Sequence, residues 1–235
     1  MNEHISSAYD RDLDAIQTLV FKMGGLVEDA IVSAAKSLET RDTDMADRVR
    51  AADKVIDALE LQINEEAARV IALRAPVSKD LRAILTVLRI AASLERVGDY
   101  AKNMAKRTGT LVDMPQIAGS DAALRRMARE VQAMLKDMLD AYLRRDAVLA
   151  EDVRQRDHEV DQMYNALFRE FLTFMMEDPR NITTCMHLHF MAKNVERMGD
   201  LVTNMAEQVI YLVTGEMPEE ARPKGDETSY VTDVT

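Results

Sequence analysis

The stretch Glu95-Arg-Val-Gly-Asp99-Tyr-Ala-Lys-Asn103-Met-Ala105 recurs 101 residues later as Glu196-Arg-Met-Gly-Asp200-Leu-Val-Thr-Asn204-Met-Ala206, with seven of the eleven positions identical. Each copy carries two carboxylates and a carboxamide at i, i+4 and i+8, a spacing that places them on one side of a helix. Each copy, called here the repeated phrase, therefore presents a stripe of oxygen ligands. Its recurrence predicts a chain made of two similar halves.

A second pattern repeats upstream of each phrase. Arg50-x-x-Asp53-x-x-Ile56-Asp57 returns as Arg154-x-x-Asp157-x-x-Val160-Asp161, and each aspartate pair at i, i+4 again lies on one side of a helix. From the aspartate pair to the phrase, the second half spans 35 residues and the first half 38. A turn or a helix end can absorb this difference. We therefore infer a duplicated three-helix bundle.

Composition indicates an all-α protein. The chain of 235 residues is 47% apolar and 30% charged, without Trp, and its five prolines separate long stretches with apolar residues at helical spacing. The pattern predicts helices at 6–38, 43–74, 77–111, 121–144, 146–176 and 181–214. We assign residues 1–114 to a first three-helix bundle and 119–215 to a second, and expect 216–235 to form a mobile acidic tail.

Charge and patterning argue against several functional classes. A net charge of -11 without a basic block argues against nonspecific nucleic-acid binding. No apolar run is long enough to span a membrane, and the N-terminus lacks the pattern of a signal peptide. The single Cys185 cannot form an internal disulfide, and we expect it to be a small buried apolar residue. We expect a cytoplasmic protein that meets membranes only through its partners.

The acidic stripes predict metal sites with oxygen ligands. Consecutive long helices of a bundle run antiparallel, so the aspartate pair and the phrase of each half can face one another. Carboxylates gathered in this way repel one another, and a divalent or trivalent cation relieves that cost. For an exposed pair, Lys54 or Arg96 could neutralise the charge instead. Oxygen ligands favour Mg, Mn, Ca or Fe over zinc or copper.

Other residues suggest no catalytic site. Gly24-Gly25 lacks the pattern of a phosphate-binding loop, and His187 and His189 point to different sides of a helix, as surface or packing histidines do. Gly98 and Gly199, inside the phrases, predict a close approach by another helix or a ligand. A metal-dependent oxidoreductase or a metal store on a helical bundle is the alternative class, although none of the four histidines follows a Glu at the usual Glu-x-x-His spacing.

Taken together, the sequence resembles the PhoU family of phosphate-signalling regulators. The resemblance is carried by the paired E-R-x-G-D phrases, the Asp-x-x-x-Asp stripes, Met23-Gly24-Gly25 and Pro76-Val-Ser-Lys-Asp80-Leu-Arg82, and it covers roughly residues 4 to 214. It implies two tandem three-helix bundles, a homodimer and, in some members, multinuclear metal sites of Fe, Mn or Mg. Carried over by motif, the metal ligands are Asp53, Asp57, Glu95 and Asp99 in the first half and Asp157, Asp161, Glu196 and Asp200 in the second, with Asn103 and Asn204 as peripheral candidates.

The function implied by the resemblance is that of an adaptor, not an enzyme. A phosphate-specific transport system accessory protein of this family links the high-affinity phosphate ABC transporter, through its ATP-binding subunit, to a sensor histidine kinase. It restrains the phosphate-starvation response and phosphate uptake when phosphate is plentiful. We therefore expect no catalytic residues and no nucleic-acid partner.

Overall fold

A computed structural model describes the backbone of residues 2–218 and the side chains of residues 8–218. Over this range the chain forms no β-strand and contains six α-helices, with a short 3₁₀ turn at Pro179–Asn181 before the last. The helices are α1 (Asn2–Thr40), α2 (Thr43–Arg74), α3 (Lys79–Leu111), α4 (Ser120–Arg144), α5 (Ala147–Glu177) and α6 (Ile182–Thr214). The all-α prediction is confirmed. Of the acidic tail predicted at 216–235, residues 219–235 lie outside the described residues.

The same turn joins the first two helices of each half. Arg41 and Arg145 have φ angles of 53° and 54°, and each is followed by an aspartate that caps the next helix. One side-chain oxygen of Asp42 and one of Asp146 accept a hydrogen bond from the backbone N–H three residues further on, at 2.8 and 3.0 Å. These bonds satisfy N–H groups that have no partner within the helix.

Helix ends absorb the difference in length between the halves. Sixteen residues separate the start of α3 from Glu95, whereas fourteen separate the start of α6 from Glu196. In addition, α5 ends one residue sooner after Asp161 than α2 does after Asp57. The second half is thus shorter by three residues at the end of α5 and the start of α6. The two acidic stripes of each half therefore still lie opposite one another.

The two groups of three helices share one hydrophobic core. Across the halves, α1 packs against α4 and α3 packs against α6, while the extensive contacts of α2 and α5 are with helices of their own half. The α3 and α6 helices run antiparallel, because Arg82 donates to the Tyr211 carbonyl at 3.2 Å and Arg107 lies 3.1 Å from His187. The interface between the halves thus extends along most of both helices.

The glycines of the repeated phrases lie in close contact with α2 and α5, which we call the outer helices. A Cβ atom on Gly98 would lie 3.1 Å from Ile56 Cδ1 of α2, and one on Gly199 would lie 3.3 Å from Val160 Cγ1 of α5. Contacts this short leave little room for a side chain in a close-packed interior. The predicted close approach is confirmed, and the neighbour in both halves is a helix.

Cys185 is fully buried, as the sequence indicated. The core also includes three fully buried methionines of α4, Met127, Met134 and Met138. Such unbranched and small side chains fill irregular space between helices. Within the described part of the chain, none of the helices combines the length and the apolar character that crossing a membrane requires.

Gly24 and Gly25 allow a test of the packing between the halves. A Cβ atom on Gly24 would lie 2.5 Å from Leu139 Cδ1 of α4, whereas one on Gly25 would meet no atom within 4 Å. Replacing a helical glycine by alanine stabilises a protein by about 0.5–1 kcal/mol where space allows. Gly25→Ala is therefore expected to raise the free energy of unfolding by about that amount.

Gly24→Ala serves as the matched variant. It gains the same helix propensity but must displace the buried Leu139, so we expect it to be less stable than Gly25→Ala by about 1 kcal/mol or more. Urea unfolding followed by circular dichroism measures both. Equal stabilisation by the two substitutions would contradict close packing of α1 against α4.

Candidate functional site

The carboxylates of the first half converge where α2 crosses α3. Lys102 of α3 donates hydrogen bonds to Asp53 Oδ2 at 2.5 Å and to Asp99 Oδ1 at 2.8 Å. Asp53 is buried, whereas Asp99 is partly exposed and Asp57 is exposed. The ammonium group therefore joins one carboxylate of the aspartate pair to one of the phrase.

Burial and then repulsion among these carboxylates raise the pKa values of Glu95 and Asp57. Burial raises the pKa of Glu95, and the charges of Asp99, Glu60, Asp57 and Asp53 raise it further. Burial and then Asp53 raise the pKa of Asp57, against the opposing effect of Lys102. The hydrogen bonds to Asp53 and then Asp99 raise the pKa of Lys102 itself. The four predicted ligands of the first half thus form one electrostatic group, which also includes Glu60.

The cation in this group is a different residue from the two that the sequence suggested. Over residues 8–218, neither Lys54 nor Arg96 has a carboxylate within 4.0 Å. Lys102 takes this place because it lies three residues after Asp99, on the same side of α3. The Asp-x-x-Lys spacing on α3 indicates the contact of Lys102 with Asp99, but not its contact with Asp53 on α2.

The carboxylates of the second half lie where α5 crosses α6, and they are more deeply buried. Asp157, Asp161 and Glu196 are 2%, 4% and 6% exposed. Lys193 donates to Glu196 Oε1 at 2.9 Å, and its ammonium lies 4.8 Å from the centroid of the Tyr164 ring. In this half the lysine therefore precedes the phrase.

Thr203 of α6 occupies the position that Lys102 has in the first half. It is fully buried, and its hydroxyl has no hydrogen-bond partner among the described side chains and backbone. A buried hydroxyl without a partner costs free energy. The second half consequently has a neutral oxygen where the first half has an ammonium group.

The remaining candidates lie on cavities between α3 and α6. Asp200 and Asn204 contribute to a cavity of about 630 Å³ that Arg96 and Arg197 also line. Asn103 contributes to a separate cavity of about 430 Å³. The structure thus places both asparagines at the interface between the halves.

The surroundings of the predicted metal ligands differ between the halves. Carboxylates are suitable ligands for Mg, Mn and Fe ions, but no three Asp, Glu, His or Cys side chains within the described residues are arranged to hold one ion. In the first half, Lys102 fills the place between Asp53 and Asp99. In the second half, Lys193 donates to Glu196, and Thr203 places a neutral hydroxyl where the first half has Lys102. Both sets supply oxygen ligands suited to a hard cation, and in both a lysine contacts at least one of them.

Comparison with known proteins shows the same duplication. The PhoU domain matches residues 20–108 and again 124–209. The phosphate-specific transport system accessory protein PhoU homolog of Rhizobium meliloti (strain 1021) is 44% identical, over 99% of this chain and 98% of its own length. Its counterpart in Caulobacter vibrioides (strain NA1000 / CB15N) is 43% identical, over 96% of this chain and 98% of its own.

Two solved structures have the same fold. The crystal structure of PhoU from Pseudomonas aeruginosa superposes with a TM-score of 0.86 at 37% identity, covering 88% of this chain and all of that one. The phosphate transport system regulatory protein PhoU from Streptococcus pneumoniae superposes with a TM-score of 0.83 at 29% identity, covering 90% and 100%. The similarity therefore extends across both halves.

Glu95→Gln tests the repulsion in the first half. Because the pKa of Glu95 is raised in the fold, its ionised form is disfavoured there, and the protein loses stability as the pH rises through that pKa. With a chelator present, the substitution is expected to raise the melting temperature by about 1–3 °C at neutral pH. The gain should disappear below about pH 4, where the wild-type carboxyl is protonated.

The exposed Glu65 on α2 provides the control. Glu65→Gln removes the same charge outside the cluster and should leave the melting temperature within about 1 °C of wild type at both pH values. A lower melting temperature for Glu95→Gln at neutral pH would show that the ionised carboxylate stabilises the fold.

Proposed function

The chain belongs to the PhoU family, and we propose that it is the accessory regulator of a phosphate transport system, restraining the phosphate-starvation response and phosphate uptake when phosphate is plentiful. The supporting observation is the match of almost the whole chain, 96–99% of it at 43–44% identity, to accessory proteins of such systems. The match includes both halves of the helical scaffold.

In this proposal the protein acts as an adaptor without catalytic activity. It would contact the sensor histidine kinase and the ATP-binding subunit of the phosphate ABC transporter in the cytoplasm, and would form a homodimer. The α2 helix packs against helices of its own half and leaves its other side open to such contacts, where Leu61 and Leu73 are 59% and 63% exposed.

Deletion of the gene tests the regulatory role. We expect a phosphate-regulated promoter to become active in phosphate-rich medium, because the restraint on the kinase is lost. A reporter fused to that promoter and the uptake of labelled phosphate provide the measurements. A plasmid copy of the wild-type gene should restore repression. Continued repression together with normal uptake in the deletion strain would exclude this function.

Binding experiments address the adaptor role separately. The purified chain is expected to bind the cytoplasmic part of the kinase and the isolated ATP-binding subunit in calorimetric titrations. If the deletion strain shows the phenotype but neither partner binds, the regulatory function stands and the adaptor mechanism is wrong.

We further propose that the acidic clusters hold a hard cation such as Fe, Mn or Mg. The buried Asp157, Asp161 and Glu196 offer oxygen ligands, and Thr203 offers a hydroxyl in place of an ammonium group. In the first half, the cation would have to displace Lys102 from Asp53 and Asp99. This displacement lowers the affinity for metal.

Lys102→Met tests this proposal. Without metal, the variant leaves the buried Asp53 without its cation and is expected to lose about 1–2 kcal/mol of stability. Millimolar Mn²⁺ or Mg²⁺ should restore the loss by binding the released carboxylates, more than it stabilises the wild type. Thermal unfolding with a chelator and with each ion gives the comparison.

Lys54→Met is the matched control for this experiment. It removes an exposed lysine from α2 that has no carboxylate within 4.0 Å among the residues described, so it should show neither the loss nor the rescue. A Lys102→Met protein that is destabilised but does not respond to Mn²⁺, Mg²⁺ or Fe²⁺ would count against cation binding in the first half.

A further inference from the structure

One cavity between α3 and α6 is lined only by polar and basic side chains. Its volume of about 430 Å³ lies within the range of small-molecule sites, about 300–1,000 Å³. We call it the basic cavity. Its lining residues come from the C-terminal part of α3 and the N-terminal half of α6: Asn103, Lys106, Arg107, Thr110, His187 and Asn194.

The two cations of the basic cavity have no carboxylate partner in the part of the chain that the structure describes. Over residues 8–218, no carboxylate lies within 4.0 Å of Lys106 or Arg107. Elsewhere a half-buried arginine is paired, since Arg156 contacts Glu130 at 2.8 Å and Asp137 at 2.6 Å. In a chain with a net charge of -11, this cavity is a local region of positive potential that attracts anions.

The side chain of Arg107 is held in place by two neighbours on α6. Its guanidinium carbon lies 4.5 Å from the centroid of the Phe190 ring, and Nη1 lies 3.1 Å from His187 Nδ1. Arginine can only donate, so His187 Nδ1 is the acceptor and the proton of the neutral ring is on Nε2. Stacking and hydrogen bonding restrict the side chain without cancelling its charge. The guanidinium group is therefore ordered in advance for a ligand.

Hydrogen-bond donors predominate in the basic cavity. The ammonium and guanidinium groups, two carboxamides, the Thr110 hydroxyl and the Nε2–H of His187 can all donate. A phosphoryl group presents several acceptor oxygens and a charge of about −1.5 to −2 at neutral pH. Its charge and its acceptors therefore complement those of the lining. Arginine in particular binds phosphate through two parallel hydrogen bonds.

The basic lining is not a requirement of the duplicated fold. Lys106-Arg107 is replaced 101 residues later by Glu207-Gln208, although Asn103 is retained there as Asn204. The cavity that contains Asn204 accordingly includes Glu207 and Asp200. The same scaffold thus tolerates acidic residues at this position, and the basic pair belongs to the first half alone.

We propose that the basic cavity binds a phosphoryl group, either as inorganic phosphate or as part of a phosphorylated small molecule. Arg107 and Lys106 supply the positive charge, while the neutral donors complete the coordination of the oxygens. The volume exceeds what one phosphate ion fills, which leaves space for the rest of a larger ligand. This inference goes beyond the proposed regulatory function and does not depend on it, because binding is measured on the purified protein.

Calorimetric titration of the full chain with inorganic phosphate, at constant ionic strength, tests the proposal. We expect saturable binding at one site per chain. Arg107→Gln is expected to raise Kd at least about tenfold, whereas Arg107→Lys should weaken binding less, because it keeps the charge but loses the planar fork. Parallel titrations with AMP distinguish free phosphate from a phosphorylated small molecule. The class of ligand that binds with the lower Kd is the one that the cavity recognises.

Arg197→Gln is the matched control. It removes the same charge from the neighbouring cavity, which contains Asp200 and Glu207, and should leave Kd unchanged within about twofold. A local readout comes from the imidazole NMR signals of the four histidines. Phosphate is expected to shift the signal of His187, assigned through His187→Gln, and not that of His158.

The outcomes separate clearly. Saturable binding of phosphate or AMP that Arg107→Gln weakens and Arg197→Gln does not, with the His187 shift, supports the proposal. No saturable binding of either ligand up to about 10 mM, equal weakening by both arginine substitutions, or equally tight binding of acetate would overturn it. If Arg107→Gln proves unfolded by circular dichroism, Lys106→Gln takes its place with the same criteria.

Discussion

The contact of each outer helix with a glycine of the repeated phrase determines the rest of the arrangement. Because Gly98 and Gly199 carry no side chain, α2 and α5 lie directly against α3 and α6. This approach buries Asp53 and Asp157 beside the phrase carboxylates. A buried carboxylate is costly unless it is paired and hydrogen-bonded. Each half must therefore provide positive charge or hydrogen-bond donors at this crossing.

The halves meet this requirement differently on the same backbone. In the first half, Lys102 follows Asp99 by three residues and joins it to Asp53. In the second half, Lys193 precedes Glu196 by three residues, and Thr203 occupies the place of Lys102. The duplication thus fixes where the carboxylates lie but not how their charge is compensated. The two clusters are chemically distinct despite their shared motif.

Local and periodic features could be predicted from the sequence, and contacts between distant segments could not. The six helices follow from apolar periodicity and from caps such as Asp42, because both act within a few residues. The pairing of acidic stripes follows from the repeat. In contrast, whether Lys54 or Lys102 reaches Asp53 depends on side-chain direction across two helices, which spacing on one helix does not specify.

The basic cavity is harder still to foresee, since Arg107 and His187 are separated by 80 residues and meet only because α3 and α6 are antiparallel. The joining of both bundles into one core likewise depends on contacts between distant segments, α1 with α4 and α3 with α6. The metal ligands remain predictions, because their residue types and spacing are compatible with cation binding and equally with compensation by a lysine.

The α3 helix connects the two sites of the first half. Lys102, in the acidic cluster, and Lys106, in the basic cavity, lie four residues apart, which is about 6 Å along the helix axis. This axial spacing of the two backbone positions is comparable with the screening length of about 8 Å at physiological ionic strength. A change of charge at one site therefore alters the potential at the other. A cation held among the carboxylates would strengthen anion binding in the basic cavity. By thermodynamic linkage, an anion bound in the cavity would strengthen cation binding by the same free energy.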